Sequence, residues 1–257
     1  MSSPSPLYEG DYNLVRDKQI NKIILPGRKE AVYSKVEVDR LARAMHSYLD
    51  QYTDERLRFG LALAEDIPEI RELGAATMGG YQNAFPREIL EAWIRKNPET
   101  IHILHRGQEI VAYISMLPLP LETIMRRLAG SIAARAIPID DIQDFSPGKP
   151  LTLYVAEAIV KQDMPDRLRI GAKLLSETAE FLISLAQQKI TVNELYMVAT
   201  SSFSIRVCES LGCQVLDIPG AVRPDRIPFK LDVWQSKSRL VSDYRKVLES
   251  MERRDRG

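Results

Sequence analysis

Cysteine and histidine are scarce in this 257-residue chain, which has two of the first and three of the second. Cys208 and Cys213 lie within one short segment, which argues against a disulfide framework and favours two half-buried thiols in a reducing compartment. His102 and His105 are three residues apart in a predicted strand and so point to opposite faces, and His46 is isolated. We therefore expect no zinc site.

Net charge is also missing, because 35 basic residues are balanced by 35 acidic ones. A neutral chain has no overall field that attracts nucleic acid or an acidic membrane, which argues against DNA binding as the main activity. No apolar run reaches the length that spans a bilayer, and residues 1–6 lack the pattern of a signal peptide. We expect a cytoplasmic protein that does not associate with membranes.

The most informative segment runs from 151 to 213. Residues 151–160 are rich in the β-branched and aromatic side chains that favour a strand, and Pro165 and Asp166 interrupt it. A helix is predicted from Arg167, because apolar side chains recur at helical spacing. The first turn of such a helix has backbone N–H groups without intrahelical partners and the positive end of the dipole. This turn therefore predicts a phosphate site. The apolar stripe consists of Ile170, Leu174, Thr178, Leu182 and Leu185.

Two motifs in this segment resemble those of the GNAT acyltransferase superfamily. Arg169-Ile-Gly-Ala-Lys-Leu-Leu175 resembles the end of the family's pyrophosphate loop, Gln/Arg-x-x-Gly-x-Gly/Ala, with Gly171 on the last glycine. Cys208-Glu-Ser-Leu-Gly-Cys213 resembles Tyr-Glu-x-Leu-Gly-Phe, the usual end of the family's next strand and helix. The resemblance extends over roughly 57–234. It implies acetyl-CoA, or another acyl-CoA, as the cofactor.

Three departures from the family pattern bear on cofactor binding and catalysis. Arg169 replaces the first glycine of the loop, Asp166 stands at the Gln/Arg position beside Arg167, and Cys208 replaces the tyrosine that often protonates the leaving thiolate. Backbone N–H donors do not depend on side-chain identity, so coenzyme A binding is still implied, whereas the general acid is left unassigned. The implied cofactor-binding residues are Ile159, Val160, Lys161, Arg167, Arg169, Ile170, Gly171, Ala172 and Ser201.

Glu157 is the candidate catalytic base. In many GNAT enzymes the corresponding strand supplies a backbone N–H to the thioester carbonyl and often a carboxylate base, and Glu157 is the only carboxylate within 151–160. It lies between Ala156 and Ala158, where burial raises the pKa of a carboxyl group. Its odd separation from Tyr154 leaves open which face it occupies. A structural carboxylate paired with an arginine is the alternative interpretation.

Other candidate groups have simpler explanations. Cys208 as a nucleophile needs a basic partner that the sequence does not identify, so a buried helical thiol is favoured. Asp140, Asp141 and Asp144 are able to bind a cationic acceptor, but acidic residues at a helix start usually complement the helix dipole. Residues 122–136 are predicted to form an inserted helix, a candidate lid beside the substrate.

The N-terminal segment resembles the wing and final helix of an excisionase or MerR-type DNA-binding domain. Strands are predicted over 20–25 and 30–33, followed by a helix over 36–52 that begins with a capping box. Arg28 and Lys29, at the hairpin turn, are suited to contact a phosphate backbone weakly. However, the first helix of a helix-turn-helix is missing, and charged hairpin tips are usually just solvated.

These observations predict an α+β fold with a mixed, mostly antiparallel central sheet flanked by helices. We expect a hairpin–helix appendage over 1–52 and a GNAT-like domain with a C-terminal helix over 53–257. The predicted activity is acyl-CoA-dependent N-acyl transfer by direct attack of an amine, carried by a small molecule, peptide or protein. The alternative is a non-catalytic, ligand-sensing or DNA-associated regulator. The oligomeric state is left open.

Overall fold

The computed structural model describes residues 22–24, 31–33, 57–219 and 226–255. The chain divides into two compact units, 1–56 and 57–257. In the first unit, β1 (Lys22–Ile24) and β2 (Ala31–Tyr33) form an antiparallel hairpin that overlaps the predicted strands 20–25 and 30–33. The predicted helix over 36–52, together with Arg28 and Lys29, lies outside the described residues, so DNA contact by this segment stays a prediction.

The second unit contains a seven-stranded sheet in the order β3-β4-β5-β6-β7-β9-β8. Every neighbouring pair is antiparallel except β6 and β7, which are parallel. The predicted fold class is confirmed, since the sheet is mixed, mostly antiparallel and flanked by helices. The strands are β3 (Leu57–Leu61), β4 (Ile101–Arg106), β5 (Glu109–Pro118), β6 (Leu151–Val160), β7 (Val192–Ala199), β8 (Gln214–Val215) and β9 (Ile227–Asp232).

Helices cover both faces of this sheet because each carries one apolar side. What we call the first face packs against α1, α2 and α3, and its core includes Trp93 and Tyr154. The second face packs against α4 and α6, and its core includes Leu174 and Tyr244. No helix in the described part of the chain is both long and apolar enough to span a bilayer. The helices are α1 (Ile67–Met78), α2 (Arg87–Lys96), α3 (Leu121–Leu128), α4 (Arg167–Gln187), α5 (Ser202–Ser210) and α6 (Arg239–Asp255).

Strand β5 is an interior strand, third in the order of the sheet, and all of its residues except Glu109 are buried, as expected for a strand that is apolar on both faces. The strand continues to Pro118. The prediction for the segment after it is wrong in its length, because the inserted helix occupies only Leu121–Leu128 rather than 122–136. The helix ends early because Gly130 follows it in the left-handed conformation (φ 77°), and Ala134–Ala136 then forms a separate 3₁₀ turn.

Candidate active site

A β-bulge decides which face of the sheet Glu157 occupies. Along β5 and β6, Ser115 pairs with Glu157 but Met116 pairs with Val155, so Ala156 is an extra residue without a partner. The extra residue reverses the side-chain alternation, and Glu157 therefore shares the first face with Tyr154 although their separation is odd. The bulge resolves the orientation that periodicity left open.

The carboxylate of Glu157 is buried against a tyrosine rather than an arginine. Its side chain is only 8% exposed, and the Tyr113 hydroxyl donates a hydrogen bond of 2.7 Å to its Oε2 atom. Burial raises the pKa of Glu157 to about 7, and the bond from Tyr113 lowers it by a smaller amount. Among the described residues, no ion pair involves Glu157. A carboxyl group that titrates near neutrality is suited to act as a general base.

Helix α1 packs against the Tyr113 hydroxyl at Gly74. A Cβ atom placed on Gly74 would lie 2.7 Å from the Tyr113 hydroxyl and 3.8 Å from the Cβ of Ala84. No real Cβ atom approaches an oxygen so closely without displacement, so glycine at this position lets the helix backbone lie directly over the hydroxyl. Gly74 therefore helps to fix where Tyr113 holds the carboxylate.

Replacing Gly74 by alanine is expected to lower the free energy of unfolding by about 1–2 kcal/mol, because the clash with Tyr113 outweighs the gain in helix propensity. Urea denaturation measures this difference. Gly60→Ala is the matched control, since no heavy atom lies within 4 Å of a Cβ built on Gly60. A Gly74→Ala protein as stable as the control variant would show that the helix is free to shift away from Tyr113.

An opening separates the second halves of β6 and β7 beside Glu157. The two strands pair only up to Val155 and Met197, and beyond this point β6 pairs with β5 alone while β7 pairs with β9 alone. The Lys161 N–H donates to the Val111 carbonyl of β5 (2.9 Å). Strand alternation then directs the N–H groups of Ala158 and Val160 toward the opening. These donors lie in the same stretch of strand as the Glu157 carboxylate.

The start of α4 lies against the end of β6, at one side of this opening. A Cβ on Gly171 would lie 3.7 Å from the Val160 Cγ2 atom, which is an ordinary contact distance. A guanidinium nitrogen of Arg167 donates to the Gln162 Oε1 atom at 3.2 Å. Asp166 forms no side-chain cap on α4, because its carboxylate is paired with Arg106 at 2.5 Å, which lowers the Asp166 pKa. The negative charge of Asp166, at the Gln/Arg position of the motif, is thus neutralised by Arg106 of β4.

The predicted cofactor-binding residues occupy both sides of the opening. Most of them belong to the end of β6, the following loop and the first turns of α4, and the structure brings these together. Ser201 follows β7 on the other side and caps α5, its Oγ atom accepting a 3.1 Å bond from the Ser204 N–H. Ile159 and Ile170 are buried, and neither turns an unbonded backbone N–H toward the opening: strand alternation directs that of Ile159 toward β5, and that of Ile170 donates to the Asp166 carbonyl at 3.1 Å. Lys161 forms an ion pair with Glu109. The residues on the β6 and α4 side are Ile159, Val160, Lys161, Arg167, Arg169, Ile170, Gly171 and Ala172.

Three of the alternative candidates, Cys208, Asp141 and His102, are engaged in other contacts. Cys208 is buried in a small cluster with Ala199 and Phe229, and a hydrogen bond with Cys213 lowers the pKa of its thiol. Asp141 accepts a 2.6 Å bond from the Thr123 hydroxyl. His102 lies between two phenylalanine rings, and burial lowers its pKa to about 4. No cluster of His, Cys, Asp and Glu in the described ranges is arranged to hold a metal ion.

The sequence gives no signal for Tyr113 or Gly74 as parts of this site. Tyr113 is one apolar residue of a strand that is buried on both faces, and Gly74 is one small residue of an amphipathic helix. Their proximity to Glu157 depends on strand register and helix packing, which are non-local. A surface pocket of about 270 Å³ lies apart from Glu157, near Leu119, Lys149 and Thr152.

Known structures resemble this chain in fold. No protein-family model and no curated protein matches the chain. The solved loading GNATL domain of CurA from Lyngbya majuscula matches with a TM-score of 0.50 and 16% identity, over 68% of this chain and 97% of that domain. The chain has the GNAT fold. At this identity the likeness to GNAT structures shows the fold alone.

Two further GNAT structures align over the same share of the chain. The GphF GNAT-like decarboxylase in complex with isobutyryl-CoA has a TM-score of 0.49 and 15% identity, over 68% of this chain and 98% of its own. An agmatine N-acetyltransferase has a TM-score of 0.46 and 15% identity, over 68% of this chain and 99% of its own.

Proposed function

We propose that this protein is an acyl-CoA-dependent N-acyltransferase that transfers an acetyl or related acyl group to an amine. One observation carries the proposal: a buried carboxylate with a pKa near 7, Glu157, lies beside an opening in the sheet into which backbone N–H groups point. The motif residues around Gly171 and the GNAT fold support the choice of acyl-CoA as the ligand.

In this proposal the opening between β6 and β7 receives the thioester arm of acyl-CoA. The N–H of Ala158 or Val160 polarises the thioester carbonyl, as an oxyanion hole does. The pyrophosphate binds at the start of α4, where the helix dipole and first-turn N–H groups favour an anion and Arg167 and Arg169 add positive charge. Gly171 leaves room for the phosphate oxygens.

Glu157 removes a proton from the ammonium form of the acceptor, which frees the nitrogen lone pair for attack. The nitrogen attacks the thioester carbonyl carbon, a C–N bond forms, and the C–S bond breaks. The sulfur of coenzyme A leaves with the electron pair of that bond and takes up the second proton that the nitrogen loses, while Glu157 releases the first proton to solvent. The products are an amide and free coenzyme A. Holding the two reactants together supplies part of the rate acceleration, because attack becomes effectively unimolecular.

Calorimetric titration with acetyl-CoA, followed by a thiol-release assay with a panel of amines, tests the proposal. We expect saturable binding and amine-dependent release of coenzyme A. The absence of heat at millimolar acetyl-CoA would overturn it. Saturable binding without turnover on any amine would favour the ligand-sensing alternative, in which the same site binds acyl-CoA but transfers nothing.

A further inference from the structure

Arg127 is a buried cation with no carboxylate partner in the described part of the chain. It lies in the last turn of α3, on the first face of the sheet, and is 9% exposed. Its Nε atom is buried without a hydrogen-bond partner. A guanidinium removed from water is unfavourable unless it is paired, and the C-terminal dipole of a short helix compensates for only part of that cost.

Two partly buried cations on strands of the sheet, unlike Arg127 on α3, have carboxylate partners. Arg106 on β4 pairs with Asp166 at 2.5 Å, and Lys230 on β9 pairs with Glu194 at 2.8 Å. The fold thus supplies carboxylates where strand cations are partly buried. Arg127 is more deeply buried than either, and its described polar contact is a neutral phenol, the hydroxyl of Tyr154. Among the described residues this contrast leaves the charge of Arg127 without a carboxylate, which is the reason to consider a bound anion as its partner.

The surroundings of Tyr154 give this region a defined polarity. Arg127 and Arg226 both act on the Tyr154 hydroxyl as positive charges, and Glu157 acts on it as a negative one. Tyr154 and Glu157 share the first face, opposite Leu117 and Ser115 on β5, which are two residues apart. Two residues correspond to about 7 Å along a strand. The Arg127–Tyr154 pair and the Glu157 carboxylate are therefore close enough for one small molecule to contact both.

We propose that Arg127 and Tyr154 bind a substrate carboxylate, so that the acceptor is a small amine that also carries a carboxylate group. This inference rests on the proposed function. The guanidinium and the phenol hydroxyl donate hydrogen bonds to the carboxylate, and the amine of the same molecule is directed toward Glu157. The same chemistry arises if the carboxylate belongs to a dicarboxylic acyl group instead, and the experiment separates the two sources.

Matched acceptor pairs that differ only in a carboxylate test the inference with acetyl-CoA as the donor: arginine with agmatine, lysine with cadaverine, and ornithine with putrescine. We expect kcat/KM to be roughly 10- to 100-fold higher for the carboxylate-bearing member of at least one pair, the range for hydrogen bonds to a charged group. A second arm compares malonyl-CoA with acetyl-CoA on one amine. A preference confined to this arm assigns the carboxylate to the acyl group.

Arg127→Met is expected to abolish the preference and leave the affinity for acetyl-CoA unchanged. Arg127→Lys, which keeps the charge, restores part of it. The matched control is Arg126→Met, because Arg126 neighbours Arg127 on α3 but is exposed. Equal kcat/KM values for both members of every pair, and for both acyl donors, would overturn the carboxylate site while leaving acyl transfer intact. Failure of acetyl-CoA to bind at all would instead overturn the proposed function.

Thermal denaturation separates this role from a structural one. If Arg127 is a ligand-binding residue, the apolar Arg127→Met variant has a Tm equal to or above that of the wild type, because an unpaired buried charge has been removed. A fall of several degrees, absent in Arg126→Met and accompanied by an unchanged acceptor preference, would assign Arg127 to structure.

Discussion

Replacing Glu157 by glutamine is expected to lower the turnover number of acyl transfer by roughly 10²–10⁴-fold, the usual contribution of a positioned general base. The amide keeps the shape of the carboxylate and can still accept the bond from Tyr113, but it cannot take a proton at neutral pH. The affinity for acyl-CoA should change little, because backbone groups hold the thioester. Steady-state kinetics and calorimetry on the same preparations measure both quantities.

The pH–rate profile gives a second, independent readout of this variant. With the pKa of Glu157 at about 7, the wild-type rate should rise with pH up to about that value, and this ascending limb should disappear in Glu157→Gln. Glu194→Gln is the control for loss of a carboxylate bonded to a tyrosine, because Glu194 accepts a 2.9 Å bond from Tyr196 on the same sheet; it also loses the ion pair with Lys230, and it should leave the pH–rate profile unchanged. A Glu157→Gln enzyme with near-normal turnover and an unchanged limb would assign Glu157 to structure.

The same substitution should change stability in a pH-dependent way. Burial raises the pKa of Glu157 from 4.5 to about 7, so between these values the folded protein binds more protons at this site than the unfolded chain does. Stability therefore falls as pH rises from 4.5 to 7 and is lowest, for this group, above 7. Glu157→Gln should raise the free energy of unfolding at pH 8 by on the order of 3 kcal/mol relative to pH 4. Urea denaturation at both pH values measures this.

The fold was predictable from sequence where local pattern determines structure. The bounds of β6, Leu151–Val160, match the run of β-branched and aromatic residues, and the apolar stripe of α4 is buried as helical spacing predicts. Such elements depend on propensity and periodicity within a short window. The length of α3 was overestimated because Gly130 ends the helix, a local effect that outweighed helix-forming neighbours.

The site was predictable only in part, because its geometry depends on register. The sequence singles out Glu157 as a carboxylate in an apolar strand, but the bulge at Ala156 is what turns it onto the first face with Tyr154. A bulge is a mismatch between two strands and leaves no signal in either one alone. The same applies to Tyr113, which reaches Glu157 across β5 and β6, and to Arg127, whose lack of a carboxylate partner among the described residues depends on how α3 packs on the sheet.

Replacing Gly171 by glutamate is expected to weaken acyl-CoA binding by roughly 100-fold or more. The new carboxylate would start from a Cβ only 3.7 Å from Val160 Cγ2, at the first turns of α4 where the proposal places the pyrophosphate. Two anions a few ångströms apart at a protein surface repel each other by several kcal/mol, which corresponds to at least this change in affinity. Calorimetric titration with acetyl-CoA measures it.

Two substitutions at Gly171 separate charge from size. Gly171→Ala should bind acetyl-CoA normally, because its Cβ makes only an ordinary contact, and should be slightly more stable because alanine favours a helix more than glycine does. Gly171→Gln has nearly the same volume as glutamate but no charge, so an affinity close to that of the alanine variant would attribute most of the effect to repulsion of phosphate. If Gly171→Glu binds acetyl-CoA as tightly as Gly171→Ala, the pyrophosphate does not lie at the start of α4, and the ligand of the opening between β6 and β7 must approach from another direction.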